Sequence, residues 1–593
     1  MKARFDIWLP LALLAIVAPT LIAAHDPPSV TFYNQALAVF GWGLWMAALV
    51  GQGVPKIGHG LPRVGLLAVG AALTINAAMA LTSPALNDLP LGLGMMGGGL
   101  SLAALLALTV GWKVGLRDDA DEIFDSFCIA LGVAGLIGLV LAGIQVFHPA
   151  WADGTWIAGP TMPGRAVGNL RQPNHFSTLL VWSVCATAWL GARRRWPLWL
   201  AMPAITLMIA GIVLTASRTG MLGMLLLALW GWRDRDLPRP LRVLLMAAPV
   251  IYGAVWGSMS MLSHLDQQVT FAAEARLHDK SDISSSRFKI WANVLELIRQ
   301  NPWFGVGYGE FNLAWTLTPF PTRPVAFFDH THNIVLQWAV ELGLPLAALM
   351  TLASLVGVWA LVRPRHLDGD RPEAPGFHGS PAGAASVIVL IVGLHSLLEY
   401  PLWYSYFLLP AAFAWGIGLA ARARQQGEVT QVTSPAPLGR RLLVLCLTTC
   451  MCTAWCTWDY LAAANIYAPR EGAGPLDQRI AFGQRMPWFG YQADYAAATT
   501  QDDDEPSLPP RAFRRTLHNL LDARLMKAYA RSLAEHGEVD KARNVVERLK
   551  EFHNPIGDEF MEECNEPLDN DEEPPFQCSP PTRTYAWREL LPH

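Results

Sequence analysis

Residues 126–147 read SFCIALGVAGLIGLVLAGIQVF and contain no charged side chain. The hydrocarbon core of a bilayer is about 30 Å thick, and an α-helix needs about 20 mainly apolar residues to cross it. This stretch meets both conditions of length and apolarity. It therefore predicts a transmembrane helix, and the rest of the chain is interpreted outward from it.

The composition of the whole chain indicates many such helices. Its 593 residues are 52% hydrophobic and 16% charged, whereas soluble domains carry about 25% charged residues. The formal net charge of -4 gives no reason to expect a polyanion such as nucleic acid as a partner. We predict an all-α polytopic membrane protein.

Apolar runs of spanning length recur along the chain, and we expect about thirteen transmembrane helices. The first run has the apolarity of a signal peptide, but no small-x-small cleavage site precedes the next run, which favours an uncleaved helix. The predicted spans are 7–24, 34–54, 64–82, 91–112, 126–147, 177–192, 196–216, 219–232, 243–262, 334–362, 383–398, 405–420 and 442–460.

Lysine and arginine residues set the predicted orientation. They occupy alternate loops, including 193–195, 233–242 and 363–371, and positively charged loops stay on the cytoplasmic side. The N-terminus is therefore expected inside and the C-terminal tail outside. The short loops 25–33, 83–90 and 396–404 hold no lysine or arginine. The larger segments expected outside are 148–176, 263–333 and 461–593.

These assignments divide the chain into transmembrane regions 1–195 and 196–460 and an outer helical domain, 461–593. Within the tail, Ala528–Phe552 has the spacing of a single tetratricopeptide-type helix pair or of an ordinary helical hairpin. Cys564 and Cys578 would lie in an oxidising compartment, and we expect a disulfide between them. The other six cysteines lie in apolar stretches and are interpreted as small hydrophobic residues.

Two polar clusters interrupt the apolar sequence on the predicted outer side of the first half. Arg165–His175 reads RAVGNLRQPNH, which combines turn residues with Arg165, Arg171 and His175. A polar loop capping the next helix is the alternative interpretation. In the second cluster, Ser217–Gly220, an arginine between two apolar helices either extends to the membrane surface or meets an anion.

Two further clusters follow on the same side. The 263–333 loop ends in His330-Thr331-His332-Asn333, where a helix begins. At a helix N-terminus the two histidines could form a site that attracts anions. Half of a metal site and simple polar capping remain the alternatives. The last cluster, His395–Tyr404, places a histidine and a glutamate among interfacial aromatic residues, and a structural ion pair is its alternative.

These clusters share a cationic and histidine-rich chemistry at the membrane surface. Arginine binds phosphate or pyrophosphate through two parallel hydrogen bonds. A neutral histidine suits the removal of a proton from a hydroxyl near neutral pH.

At this point the motifs resemble the O-antigen ligase and polymerase superfamily. The resemblance rests on Arg287–Trp291 (RxxxW), on NPWFGVGYG at 301–309, and on His332-Asn333 followed, after residues 334–342, by Gly343. The superfamily's later small or aromatic position falls on Leu346, which departs from the pattern. GNLRQPNH at 168–175 and HSLLEYPLWYSYFL at 395–408 resemble, more specifically, bacterial PglL-type protein O-oligosaccharyltransferases. HDPPSVTFYNQ at 25–35 resembles their first external loop.

The resemblance implies a GT-C-like fold and a glycosyltransferase of the bacterial inner membrane with a periplasmic active site. It would transfer a preassembled oligosaccharide from undecaprenyl pyrophosphate to Ser or Thr of pilins or other periplasmic proteins. Neither a cofactor nor a metal is implied. The expected roles are His332 as catalytic base; Arg218, Arg287 and Arg171 as donor pyrophosphate ligands; His330, Asn333 and Arg165 as supporting residues; and Gln172, Asn174, His175, His395, Glu399 and Tyr404 on the acceptor side or in a structural role.

Three other functions remain open from the sequence. An O-antigen ligase or polymerase would share most of the motifs but not the QPNH and EYPLWY pair. A transporter of lipid-linked glycan would place polar groups at mid-membrane and often show repeats, whereas the polar groups here gather at one interface. A receptor or assembly protein would have no need for the charged clusters.

Overall fold

A computed structural model describes the chain at residues 2–50, 55–57, 60–266, 270–274, 283–363, 380–427, 429–433, 437–501, 505–565 and 574–592. Arg365 and Arg371, which contributed to the predicted orientation, lie outside these residues. The described chain is predominantly helical, in agreement with the predicted all-α class. Its one sheet pairs β1 (Pro55–Ile57) antiparallel with β2 (Val429–Thr433).

The described helices include those of the predicted apolar runs and further helices in the segments 263–333 and 461–593. They are α1 (Lys2–Leu21), α2 (Phe32–Leu49), α3 (Leu61–Leu86), α4 (Leu91–Gly115), α5 (Ala120–Phe147), α6 (Pro173–Ala192), α7 (Leu198–Leu214), α8 (Arg218–Arg233), α9 (Arg239–Met246), α10 (Ala248–Leu265), α11 (Ile283–Gln300), α12 (Phe311–Leu317), α13 (Ile334–Leu342), α14 (Leu344–Val362), α15 (Pro381–Ser396), α16 (Ser405–Gln425), α17 (Pro437–Tyr467), α18 (Leu476–Gly483), α19 (Gly490–Thr499), α20 (Ala523–Glu535), α21 (Val539–Lys550) and α22 (Pro555–Phe560).

Within the described residues, seven helices are long and apolar enough to cross a membrane, which supports a multi-pass membrane protein. An eighth span results if α9 and α10, which meet at 51°, are counted together. Thirteen spans were predicted, and the difference arises because several predicted runs form shorter or more polar helices. The apolar helices Ile7–Leu21, Leu198–Leu214 and Pro381–Ser396 have only 10–17 residues.

The predicted span 334–362 is wrong as a single helix, because the structure breaks it at Gly343 into α13 and α14. Gly343 has φ +82°, and a Cβ there would lie 2.3 Å from the carbonyl oxygen of Trp303. Only glycine tolerates both that backbone conformation and so close an approach. Because the apolar pattern continues through Gly343, the sequence shows no sign of the break.

The chain forms two compact units. The first comprises Met1–Thr74, Ser101–Lys280 and Leu352–Trp455, and the second comprises Ile75–Leu100, Ser281–Thr351 and Cys456–His593. In the first unit, α6 packs against α5, α7, α8 and α15 and is buried along almost its whole length. Trp182 and Trp189 of α6 are fully buried.

At the C-terminal end of α6, cationic residues pair with acidic residues of α5. The fully buried Asp125 carboxylate accepts hydrogen bonds from the indole of Trp189 at 2.9 Å and from Arg195 Nε at 2.7 Å. Arg193 reaches Asp121 at 3.1 Å. These ion pairs hold the arginine-rich loop that was predicted to be cytoplasmic.

The second unit has its own core, in which the tail takes part. The predicted helix pair within 528–552 is present as α20 and α21, joined through Gly537 at φ +86°. The guanidinium of Arg323 lies against the rings of Trp315 and Phe552 and pairs with Glu551 at 2.8 Å. Burial lowers the pKa of Arg323 to about 10. Cys564 and Cys578 form a disulfide.

Candidate active site

The first unit presents the QPNH motif as the cap of its buried helix α6. Gln172 adopts an extended backbone conformation, and its side-chain oxygen accepts a hydrogen bond from the backbone N–H of His175 at 2.7 Å. Pro173 occupies the first turn, where its missing N–H costs no hydrogen bond. The motif thus starts the helix, as the capping interpretation predicts, and it also directs three polar side chains to one place.

Glu399 accepts hydrogen bonds from two of those side chains, and it also lies close to His395 of α15. Gln172 Nε2 donates to Glu399 Oε2 at 2.5 Å, and Asn174 Nδ2 donates to Glu399 Oε1 at 2.6 Å. His395 Nε2 lies 3.4 Å from Oε2, one helical turn before the carboxylate. We call Glu399, Gln172, Asn174 and His395 the carboxylate network. Its glutamate is only 7% exposed, so these hydrogen bonds stabilise a charge that burial disfavours.

His175 lies beside this network in an aromatic environment. Its ring contacts those of Tyr404, Phe407 and His395 edge to face, with centroids 4.5, 5.1 and 5.6 Å away. Ligand atoms of His175, His395 and Glu399 lie within 4.8 Å of one another, a set able to hold a metal ion. Both carboxylate oxygens, however, already accept amide hydrogens, and His395 Nδ1 contacts Thr178 Oγ1 at 3.0 Å. The arrangement is therefore that of a hydrogen-bonded network.

Ser217 connects the carboxylate network to the second cluster. Its hydroxyl donates to Asn174 Oδ1 at 2.5 Å and accepts from the Gly220 N–H at 3.1 Å, so Ser217 caps α8. Arg218 is the next residue and is exposed at the helix N-terminus. A helix N-terminus carries a partial positive charge, and an arginine there adds to the attraction for an anion.

Arg165 and Arg171, which were also predicted on the outer side, support the loop that precedes α6. Arg165 Nε donates to the Thr215 carbonyl at 3.1 Å. Arg171 has φ +59°, and its guanidinium contacts the Ala23 carbonyl and His25 Nδ1. Both side chains thus hold backbone in place, in addition to any role toward a ligand.

In the second unit, the histidine motif forms a tight loop before α13. The Asn333 side chain caps the helix by accepting hydrogen bonds from Val335 and Leu336 N–H at 3.0 and 3.1 Å. Thr331 is held on both sides, because its N–H donates to Gln337 Oε1 at 2.8 Å and its carbonyl accepts from Trp291 Nε1 at 2.9 Å. The backbone between the two histidines is therefore fixed.

The two histidines of this loop are coupled to each other and to an acid. His330 Nε2 lies 3.1 Å from His332 Nδ1, and His330 Nδ1 contacts the carboxylate of Asp329. His332 is 8% exposed and has φ +57°, an uncommon conformation for a residue with a side chain. Such strained backbone is concentrated at functional sites.

Asp329 supplies a charge at the end of this series. Its side chain is 55% exposed. Enclosure by neighbouring groups would raise the pKa of Asp329, but hydrogen bonds, first of all the one from His330, outweigh that effect and lower its pKa. The carboxylate is consequently ionised at neutral pH, and it accepts hydrogen bonds only.

The glycine-rich run 301–309 holds the far end of α13. The N–H groups of Val306 and Gly307 donate to the carbonyls of Val340 and Glu341 at 2.8 and 3.0 Å, and Leu344 N–H donates to the Pro302 carbonyl at 2.8 Å. These bonds require the chain to turn at Gly343. The fixed spacing between His332 and Gly343 thus corresponds to one short helix with its loop at one end and its docking turn at the other.

Arg287 lies on α11, one helical turn before Trp291. Residues four apart share a helix face, and the Trp291 indole on that face bonds to the histidine loop. The RxxxW motif therefore has a structural reason, because its tryptophan anchors the loop that holds His332 and its arginine lies one turn earlier on the same helix face.

The predicted residues fall into two groups by unit. Gln172, Asn174, His175, His395, Glu399 and Tyr404 are brought together in the first unit, with Arg218 tethered to them through Ser217. His330, His332 and Asn333 share one loop in the second unit, with Arg287 on the helix that anchors it. Sequence reasoning missed Asp329, Gln337 and Thr178, although the acid directly before the histidine motif was a visible signal for Asp329.

Comparison with known proteins gives three matching family models. One described as O-antigen ligase matches residues 203–351, one described as virulence factor membrane-bound polymerase, C-terminal, matches 384–554, and one described as protein glycosylation ligase matches 166–190. The first includes the histidine loop and the third includes the QPNH motif.

Two curated proteins of Acinetobacter baylyi are similar to this chain. The general O-oligosaccharyltransferase is 23% identical over 585 residues, which cover 93% of each chain. The ComP-specific O-oligosaccharyltransferase is 24% identical over 259 residues, which cover 43% of this chain and 44% of that protein.

Proposed function

We infer that this chain, a PglL-type member of the O-antigen ligase superfamily, is a protein O-oligosaccharyltransferase embedded in a membrane. The observation that carries this function is the coincidence of two motifs with two kinds of match. The histidine loop falls in the segment similar to O-antigen ligases, and the QPNH cap falls in the segment similar to protein glycosylation ligases. The relative similar over 93% of the chain bears the same activity in its name.

Its donor is a preassembled oligosaccharide on undecaprenyl pyrophosphate, and its acceptor is a Ser or Thr hydroxyl of an exported protein such as a pilin. The reaction breaks the bond between the anomeric carbon and the pyrophosphate oxygen and forms a bond from that carbon to the acceptor oxygen. His332 removes the hydroxyl proton. Arg218 and Arg287, with Arg171 as a third ligand, stabilise the charge that develops on the leaving pyrophosphate.

This chemistry takes place on the periplasmic side of the bacterial inner membrane. The proposal keeps the order of thirteen spans, with α14 (Leu344–Val362) as the tenth span in place of 334–362, and places the loop 263–333 and the helical domain 461–593 outside. It is supported by the arginine-rich ion pairs at the C-terminal end of α6, the end predicted to be cytoplasmic, and by the disulfide in the tail. Reporter fusions after residues 160, 300 and 480 should report periplasm, and fusions near 120 and 237 cytoplasm. A cytoplasmic result at 300 would refute this orientation.

The decisive experiment is reconstitution of the full chain with a lipid-pyrophosphate-linked oligosaccharide and candidate acceptors. We expect mass spectrometry to find the intact glycan on Ser or Thr of an exported protein. His332→Ala serves as the inactive control, and His536→Ala, an exposed histidine of the tail, serves as the active one. Transfer to lipopolysaccharide core alone would instead identify an O-antigen ligase.

A further inference from the structure

Three side chains in the second unit form a directed series that ends at the proposed base. Asp329 contacts His330 Nδ1, and His330 Nε2 lies 3.1 Å from His332 Nδ1. The two imidazole rings are 4.2 Å apart at 68°. We call Asp329, His330 and His332 the relay. In each contact one atom must donate a hydrogen and the other must accept it, so the protonation of one ring determines that of the next.

The direction starts at the carboxylate. An ionised carboxylate only accepts hydrogen bonds, so His330 Nδ1 carries a hydrogen and donates it to Asp329. A neutral imidazole has one N–H and one lone pair, which leaves the lone pair of His330 on Nε2. That lone pair must accept from His332 Nδ1, which therefore carries the hydrogen of the second ring.

We propose that Asp329 and His330 are positioning residues that fix His332 in the tautomer whose lone pair lies on Nε2. This inference deepens the proposed function and rests on it for the role of His332 as base. When Nε2 takes the proton of the acceptor hydroxyl, the hydroxyl electron pair forms the bond to the anomeric carbon. The bonding pair to the pyrophosphate leaves with that group, and the imidazolium charge is stabilised along the relay by Asp329.

The surrounding loop is built to preserve this order. Thr331, between the two histidines, is held by Gln337 and Trp291, and Asn333 caps the helix that follows. The ring of Phe328 lies edge to face with His332 at 5.4 Å. His332 keeps its strained φ of +57° within this frame. The ring is thereby aligned with His330 and is not left to rotate.

The test measures kcat and KM of the full chain in lipid with a lipid-pyrophosphate-linked oligosaccharide and an acceptor protein. We expect Asp329→Asn to lower kcat about 10²- to 10⁴-fold, as the loss of a tautomer-fixing carboxylate does elsewhere, with the donor KM unchanged. Asp329→Glu should restore part of kcat. Glutamine in His330→Gln keeps a polar group near His332 but cannot connect it to Asp329 through a ring. We expect this variant to lower kcat as much as Asp329→Asn does.

The double variant Asp329→Asn/His330→Gln should be no slower than either single variant, because residues acting as one unit are not additive. Asp477→Asn, an exposed aspartate of the same unit, is the matched control and should retain parental kcat. Thermal midpoints and donor binding verify that every variant is folded. Parental kcat in Asp329→Asn, beside an inactive His332→Ala, would overturn the relay and leave the proposed function standing.

Nitrogen-15 spectra of histidine-labelled protein provide a readout that needs no activity. Signals are assigned with His330→Gln and His332→Gln, and we expect His332 to be protonated on Nδ1 in the parental chain and to lose that preference in Asp329→Asn. A parental His332 protonated on Nε2 would overturn the relay. If the parental enzyme transfers no glycan although its spectra show the expected tautomers, the proposed function fails and the tautomer assignment stands.

Discussion

The carboxylate network of the first unit and the relay of the second both join a carboxylate to histidine, yet they are built in opposite ways. Glu399 is buried, and neutral amides from the cap of a long helix satisfy both of its oxygens. Asp329 is half exposed and acts on two histidines of a strained loop. Saturated hydrogen bonding suits a rigid frame, whereas a directed pair of histidines suits proton transfer. We therefore propose a framework role for the carboxylate network and proton transfer for the relay.

Removal of the proposed base, His332, tests the catalytic role of the relay most directly. His332→Ala should lower kcat about 10²- to 10⁴-fold, the usual contribution of a general base, while donor binding persists. Transfer by purified enzyme measures it, with His536→Ala as the control. A parental rate in His332→Ala would end the mechanism. An active His332→Ala beside an inactive His330→Ala would move the base two residues upstream.

Two arginine substitutions test the proposed ligands of the donor pyrophosphate. Arg218→Ala and Arg287→Ala should each lower kcat/KM about 10- to 100-fold, because a hydrogen bond to a charged group contributes about 1.5–3 kcal/mol. Lysine at either position should restore only part of the activity, since the planar guanidinium is lost. Full activity in both alanine variants, at normal protein levels, would rule out the assignment.

The QPNH and EYPLWY motifs led sequence reasoning to the residues of the carboxylate network but not to its geometry. Gln172 and Glu399 are 227 positions apart, and no local periodicity reports such a contact. For the relay, His332 was recognisable from the His-Asn pattern. Its positive φ and its coupling to Asp329 depend on tertiary contacts with Trp291 and Gln337, which sequence spacing does not encode.

The break at Gly343 illustrates the same limit for the fold. Glycine is frequent inside transmembrane helices, so the glycine in the apolar run 334–362 did not signal an interruption. What requires it is the Trp303 carbonyl, brought close by the turn at 301–309. Element type was therefore predictable from apolarity, whereas the joint between α13 and α14 was not.

Gly343→Ala disturbs the end of α13, the helix that follows the relay, and leaves the side chains of the relay unchanged. The new Cβ would lie 2.3 Å from a backbone atom, and alanine would have to adopt φ +82°. We therefore expect the free energy of unfolding to fall by about 1–3 kcal/mol. A lower thermal midpoint and slower transfer should appear together. Gly253→Ala is the control, because no described neighbour lies within 4 Å of its Cβ. An unchanged midpoint in Gly343→Ala would show that the joint adapts.

The smallest expected loss of transfer comes from Glu399→Gln, which tests the framework role directly. A glutamine at this position has one acceptor oxygen, and its NH₂ group would face the amide donor of Gln172 or Asn174. An unsatisfied buried polar group costs about 1–3 kcal/mol, so the thermal midpoint should fall. Glu296→Gln, which removes an exposed pair with Arg299, should change the midpoint little, because solvent screens exposed ion pairs.

If the network holds the acceptor side, as the sequence predicts for Gln172, Asn174, His175, Glu399 and Tyr404, Glu399→Gln has a selective effect on catalysis. The acceptor KM should rise and kcat should fall less than tenfold, because the relay remains intact. Hydrolysis of the lipid-linked glycan in the absence of acceptor should keep its parental rate, since water needs no docking surface. Measuring both reactions on the same preparation separates the roles. An equal fall in transfer and hydrolysis would contradict acceptor binding, because a defect shared by both reactions lies on the donor side.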